Sequence, residues 1–202
     1  RGAILMNMGK PLRSREPEVL KAWLPRMGVP ILGQIKEPGR MEGGDLVWLD
    51  ERTVAVGLGY RTNREGLRQL KAITAGMVDR YIEVPLPHAD GPLACLHLMS
   101  LISMIDRDLA VVYSRYMPVF FREKLISMGI ALIEVPDKEY ETLGSNVLAL
   151  APRKCIFLSG NPETARAMRG AGVELYEYAG THLSLKGTGG PTCLTCPVLR
   201  VG

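Results

Sequence analysis

Short apolar runs alternate with amphipathic stretches along the whole chain, and this arrangement occurs four times. A compact apolar run predicts a strand, whereas apolar residues spaced three and four apart predict a helix. The four predicted strand–helix–strand stretches are residues 2–8, 16–27 and 29–34; 53–58, 63–75 and 80–84; 109–113, 118–128 and 131–135; and 155–158, 162–169 and 173–178. Their first strands begin about fifty residues apart, which indicates an internal repeat.

Another apolar run stands before each of the later stretches, at residues 46–49, 98–103 and 147–150. Segments 45–53 and 146–154 match in register, and in both a polar turn joins two apolar runs, which predicts a hairpin. The repeated unit is therefore β-β-α-β, with half units at the two ends of the chain. The last half unit is a predicted strand over residues 193–200.

The fold class follows from these units. Closing one half unit onto the other would satisfy both exposed sheet edges. We therefore expect one domain over residues 1–202, an α/β pseudo-symmetric propeller of repeated β-β-α-β units. The chain opens at Arg1 without an initiator Met or a leader pattern, so we expect a cut inside a strand and an incomplete first blade. An edge left by a missing blade would favour association, such as a homodimer.

The composition narrows the class of function. Hydrophobic residues make up 47% of the 202 residues and charged residues 23%, which is typical of a folded domain. The net charge of +4 comes from scattered basic residues, which argues against a nucleic-acid partner. No apolar run approaches the roughly 18 residues of a membrane span, and four cysteines are too few for a disulfide scaffold. We expect a cytoplasmic protein without a membrane partner.

Side chains that carry chemistry stand just before the predicted inner strands. Glu42, His97 and Cys193 occupy these positions, and Asn146 does so in the third unit without an assigned chemistry. Because pseudo-symmetric units place equivalent positions around one axis, a carboxylate, an imidazole and a thiol are expected to converge. These are the orienting acid, the base and the nucleophile of covalent catalysis.

Four motifs around these positions carry a resemblance to a known family. They are MEGGD at residues 41–45, GYRTNREG at 59–66, LHL at 96–98 and GGPTCLTCP at 189–197. In this order they resemble the guanidino-group modifying superfamily, which includes arginine deiminases, dimethylarginine dimethylaminohydrolases and amidinotransferases. The resemblance covers nearly the whole chain and implies a five-bladed α/β propeller, the pentein fold.

The resemblance also implies a chemistry and a role for each residue. Cys193 would be the nucleophile, His97 the acid and base, Glu42 the paired carboxylate, and Arg61 the group that grips the substrate carboxylate. The implied enzyme is a Cys-dependent hydrolase that cleaves a guanidino C–N bond through a covalent thiouronium intermediate and releases a ureido product such as citrulline. Its expected ligand is a small guanidino compound, arginine or a methylated arginine, and it needs no metal and no organic cofactor.

Three departures from the family pattern leave the identity of the guanidino substrate open. Met99 stands where arginine deiminases and amidinotransferases carry Asp, and dimethylargininases also lack that Asp. His182 stands where family members often have Glu. The family's upstream segment, which carries a guanidinium-binding acidic residue, precedes the point where this chain begins.

Other interpretations stay open beside this one. An amidinotransferase would use an amine instead of water, and a non-catalytic propeller domain would bind arginine-like ligands or partners. Cys95 and His97 together with Cys193 and Cys196 have the C-x-H and C-x-x-C spacings of a zinc site. Without the repeat and the resemblance, His97 would be a structural histidine and Arg61 a solvated loop cation.

Overall fold

The computed structural model describes residues 2–94 and 96–198. Contacts divide the chain into two compact units, Arg1–His97 and Leu98–Gly202. Both units consist of small sheets with a helix between consecutive parallel strands. The expectation of a single domain over residues 1–202 stays a prediction.

The first unit contains a two-stranded and a three-stranded sheet. Its strands and α-helices are β1 (Ala3–Leu5), α1 (Glu16–Trp23), β2 (Ile31–Gln34), β3 (Leu46–Trp48), β4 (Thr53–Leu58), α2 (Arg64–Ile73) and β5 (Arg80–Pro85). Strands β1 and β2 are parallel. In the sheet β3-β4-β5, β3 is antiparallel and β5 parallel to the central strand β4.

The first core forms where α2 covers the sheet. Helix α2 begins after Asn63, whose side chain accepts a hydrogen bond of 2.8 Å from the Gly66 amide. An N-cap of this kind is worth about 1 kcal/mol. The apolar face of the helix is buried against the central strand and the segment after β2, in a cluster of Leu67, Leu70, Val54, Val56, Ile35 and Met41.

The second unit contains two three-stranded sheets, β6-β7-β8 and β11-β10-β9. Its elements are β6 (Ile102–Met104), β7 (Leu109–Val112), α3 (Val119–Ser127), β8 (Ala131–Glu134), α4 (Asp137–Tyr140), β9 (Leu148–Ala151), β10 (Lys154–Leu158), α5 (Pro162–Gly170) and β11 (Glu174–Tyr178). In each sheet the central strand has one antiparallel and one parallel neighbour. All four residues of β7 are buried, as a central strand covered on both faces requires.

The repeat predicted from the sequence is confirmed. The unit β-β-α-β occurs as β3-β4-α2-β5, β6-β7-α3-β8 and β9-β10-α5-β11, and β1-α1-β2 forms the predicted half unit. No helix in the described part of the chain is long and apolar enough to cross a membrane.

The strand predicted over residues 98–103 is partly wrong. A 3₁₀ turn, Leu98–Ser100, comes first, and β6 begins only at Ile102. The Leu101 amide donates to the Leu98 carbonyl at 2.9 Å, and both leucine side chains are completely buried. A short buried apolar run has no periodicity that separates a helical turn from a strand.

The strand predicted over residues 193–200 is wrong for the described residues 193–198. The amides of Cys193 and Leu194 both donate to the Gly190 carbonyl, at 3.0 and 3.2 Å, and form a turn. Donors used in a turn are not available to a sheet ladder, and Pro197 has no amide hydrogen to give. Residues 199 and 200 lie outside the described residues.

Candidate active site

Glu42 is the most heavily hydrogen-bonded carboxylate of the candidate site. It precedes the 3₁₀ turn Gly43–Asp45, which leads into β3, and its side chain is 1% exposed. Its two oxygens accept five hydrogen bonds: Oε1 from Gly9 N at 3.0 Å, Lys10 N at 3.2 Å and Arg61 Nη1 at 3.4 Å, and Oε2 from Arg13 Nη1 at 3.1 Å and His97 Nε2 at 2.8 Å. A carboxylate offers about four lone-pair positions, so its acceptor capacity is fully used.

These partners fix the charge of Glu42. Burial alone would raise the pKa of the carboxyl group, but the hydrogen bond from His97 and the positive charges of His97, Arg61 and Arg13 lower it to about 2. The carboxylate is therefore ionised throughout the neutral range, although it is buried.

His97 is held between this carboxylate and a glycine. The side chain is nearly buried, and Nε2 lies 2.8 Å from Glu42 Oε2. A Cβ atom on Gly44 would lie 2.6 Å from His97 Nδ1, so only glycine lets the ring approach the backbone there. A carboxylate that orients an imidazole is a common arrangement in general acid–base catalysis.

Arg61 and Thr62 of the GYRTNREG motif hold Glu42 in place. Arg61 is 4% exposed, and its guanidinium contacts Glu42 and donates to the Ala94 carbonyl at 3.3 Å. Thr62 Oγ1 accepts from the Glu42 amide at 3.2 Å and donates to Asp45 Oδ2 at 2.6 Å. Arg61 is thus a buried ion-pair partner and not a solvated cation. Its expected grip on a substrate carboxylate stays a prediction.

Cys193 lies in the second unit, in the turn of residues 191–194. The thiol is free and exposed, and Asn146 Nδ2 donates to its Sγ at 3.2 Å. Cys196 is also free and exposed. Cys155 is buried, and burial together with the negative charge of Asp106 raises its pKa to about 11, so this thiol is unreactive at neutral pH.

The structure brings Glu42 and His97 together within the first unit, as the sequence predicts, and adds Arg61 to this pair. The predicted meeting of these groups with Cys193 stays a prediction. Two contacts of the site residues were not predicted from the sequence. Arg13 reaches Glu42 from a loop whose Pro- and Arg-rich composition has no spacing signal, and Asn146 was placed near the axis without a role.

The zinc alternative finds no support in the residues that the structure describes. Within residues 2–94 and 96–198, no group of three or more His, Cys, Asp or Glu side chains is arranged to hold a metal ion. Cys95, which the C-x-H spacing requires, lies outside the described residues.

A comparison with protein families decides the membership of the chain. The family model described as arginine deiminase matches residues 1–122 and 118–200. The chain belongs to the arginine deiminase family. This confirms the expected place in the guanidino-group modifying superfamily. The arginine deiminase of Rhodococcus opacus (strain B4) is 27% identical over 230 residues, which cover 97% of this chain and 56% of that protein. The chain spans about half the length of the curated arginine deiminases it matches.

Solved structures show that this arginine deiminase family chain has the expected fold. Dimethylarginine dimethylaminohydrolase from Pseudomonas aeruginosa, complexed with citrulline, superposes with a TM-score of 0.72 at 23% identity, over 89% of this chain and 64% of that one. An amidinotransferase of saxitoxin biosynthesis from Microseira wollei gives 0.80 at 16% identity, over 98% and 66%. The fold class is the α/β propeller of repeated β-β-α-β units.

Proposed function

We propose that this arginine deiminase family chain carries the catalytic residues of a hydrolase that cleaves a guanidino C–N bond. The observation that carries the proposal is the buried pair of Glu42 and His97, which joins two of the four family motifs at 2.8 Å. The fourth motif presents a free, exposed Cys193. Carboxylate, imidazole and thiol are the groups that nucleophilic attack and proton transfer at a guanidino carbon require.

The first half of the reaction forms a covalent intermediate. The Cys193 thiolate adds to the planar guanidino carbon and gives a tetrahedral adduct. Protonated His97 donates its proton to the leaving nitrogen, the C–N bond breaks, and ammonia or an alkylamine departs. Cys193 is left as an S-alkylated thiouronium, and His97 is left neutral.

Water completes the cycle. Neutral His97 accepts a proton from the attacking water, whose oxygen bonds to the thiouronium carbon. The C–S bond then breaks, the electron pair returns to the sulfur as thiolate, the remaining hydroxyl proton passes to solvent, and a ureido product such as citrulline is released. Positioned proton transfer of this kind contributes about 10²–10⁴-fold to a rate.

Glu42 serves this cycle through His97. Because its pKa is about 2, it is anionic at every working pH, orients the imidazole through Nε2 and stabilises the imidazolium form. Its acceptor positions are already occupied by Arg13, Arg61 and two backbone amides. This saturation favours the role of orienting His97 over direct binding of the substrate guanidinium.

The test is an assay of ureido product, ammonia and methylamine released from arginine and Nω-methylated arginines by the full-length protein. We expect Cys193→Ser to abolish product formation, with Cys196→Ser as the matched control that retains it. Ureido product from Cys193→Ser at the wild-type rate would contradict the proposal. Product that forms only when an amine acceptor is added would identify an amidinotransferase instead. Binding of arginine by both variants without turnover would identify the non-catalytic alternative.

A further inference from the structure

The side-chain amide of Asn146 has a defined orientation. Its Oδ1 accepts two hydrogen bonds from Thr192, from the backbone N at 3.0 Å and from Oγ1 at 2.9 Å. The oxygen of the amide must face these two donors, so the amino group faces the other way. There Nδ2 donates to the sulfur of Cys193 at 3.2 Å.

The backbone around Asn146 is anchored on both sides. The side chain of Ser103 accepts from the Val147 amide at 3.1 Å and donates to the Ser145 carbonyl at 2.7 Å. Ser145 in turn donates through its hydroxyl to the Ser100 carbonyl at 2.8 Å. Asn146 itself is 5% exposed. The amide therefore projects from a fixed support towards an exposed thiol.

Gly190 makes room for this arrangement. A Cβ atom there would lie 2.4 Å from Cγ and Oδ1 of Asn146, so no other residue allows the amide to occupy its place. The Gly190 carbonyl also accepts from the Cys193 amide at 3.0 Å. The turn that carries the thiol is thus held by its own backbone and by the Asn146 side chain.

We propose that Asn146 is the positioning residue of the nucleophile: it fixes the turn through Thr192 and donates an N–H to the Cys193 sulfur. This inference rests on the proposed function of Cys193. A thiolate is a stronger hydrogen-bond acceptor than a thiol, so the donor stabilises the charged form that attacks and that leaves again when the C–S bond breaks.

The discriminating variant is Asn146→Asp, which keeps the shape and the acceptor for Thr192 but replaces the donor towards sulfur by an anionic oxygen. Thr192→Ser, which keeps the hydroxyl, is the conservative control. The probe is iodoacetamide, with alkylation of Cys193 and Cys196 followed separately by peptide mass spectrometry from pH 6 to 9. Because Cys196 is exposed in the same molecule, it serves as the internal reference.

We expect Asn146→Asp to slow alkylation of Cys193 about tenfold relative to Cys196, the loss of one hydrogen bond to a charged group. In Thr192→Ser the rate of Cys193 alkylation relative to Cys196 should stay within about twofold of wild type, because the hydroxyl that bonds Asn146 is kept. An unchanged ratio of the two rates in Asn146→Asp across this pH range would overturn the inference. The isosteric variant preserves the packing, and an unchanged urea midpoint confirms that the fold is intact.

Steady-state kinetics separate positioning of the sulfur from binding of the substrate. We expect Asn146→Asp to lower kcat about tenfold with KM within about twofold. A rise in KM with kcat unchanged would assign Asn146 to the substrate and overturn the inference. Retained turnover in Cys193→Ser would end the proposed function and leave the alkylation result standing. An unchanged alkylation ratio together with an inactive Cys193→Ser would end only the inference.

Discussion

Replacement of Glu42 by Gln removes a buried anion that contacts Arg61, Arg13 and His97. The pKa of this carboxyl group is 4.5 in a model compound and about 2 in the folded chain. A difference of roughly two and a half units at about 1.4 kcal/mol each corresponds to about 3 kcal/mol of preference for the ionised form in the native state. We expect Glu42→Gln to lower the free energy of unfolding by about this amount at pH 7, since Arg61 is also left buried without its anion.

The contribution of Glu42 to the free energy of unfolding depends on pH in a defined direction. Because folding lowers the pKa, the contribution of Glu42 is fully present above pH 4.5 and disappears as the pH falls towards 2. The difference in unfolding free energy between wild type and Glu42→Gln is therefore expected to shrink as the pH falls below 4.5.

Urea unfolding at a series of pH values measures this difference. Glu65→Gln is the matched control: hydrogen bonds from Arg68 and Gln69 also lower the pKa of Glu65 to about 2, but these groups lie at the surface. We expect Glu65→Gln to lower the free energy of unfolding only slightly, and we expect added salt to remove this difference. A Glu42→Gln curve that runs parallel to wild type down to pH 3 would refute the reasoning.

Two further predictions concern His97 and Cys155. Gly44→Ala is expected to lower turnover at least tenfold, because its Cβ would lie 2.6 Å from His97 Nδ1; Gly43→Ala, whose Cβ would have no neighbour within 4 Å, should retain activity, and equal activity of the two variants would contradict the account. Iodoacetamide at pH 8 is expected to modify Cys193 and Cys196, which are exposed, and to spare Cys155, whose pKa is about 11, until urea is added. Native labelling of Cys155 at the rate of the exposed thiols, read by mass spectrometry, would show that this prediction is wrong.

The fold was largely predictable because the hydrophobic pattern repeats. Each β-β-α-β unit buries its central strand and one helix face. Strand 53–58 is therefore recognisable in the sequence as an apolar run, and the start of the next helix is recognisable from its N-cap residue, Asn63. The turn at Cys193 was not predicted. The run that follows it was interpreted as a strand, whereas Gly190 and Pro191 mark a turn and the Gly190 carbonyl accepts from the amides of Cys193 and Leu194.

The site was predictable where the repeat places residues at equivalent positions, and it was not predictable where a contact depends on the path of a connecting segment or on the orientation of a side chain. The approach of His97 to Glu42 spans 55 residues and followed from the repeat, because equivalent positions in neighbouring units meet. The approach of Arg13 depends on the path of the segment between β1 and α1, which has no spacing signal. Asn146 and Cys193 stand at equivalent positions of the repeat, but the hydrogen bond between them depends on the amide orientation set by Thr192, which the sequence pattern does not show.

The central claim is that the Cys193 sulfur forms a covalent bond to a guanidino carbon. It is tested most directly by rapidly mixing the wild-type protein with a guanidino substrate, quenching in acid and mapping the peptides by mass spectrometry. Because the thiouronium forms before water attacks, the account predicts that Cys193 carries the mass of a thiouronium adduct in the quenched sample and that Cys196 stays unmodified. An unmodified Cys193 in a reaction that still releases ureido product would contradict it.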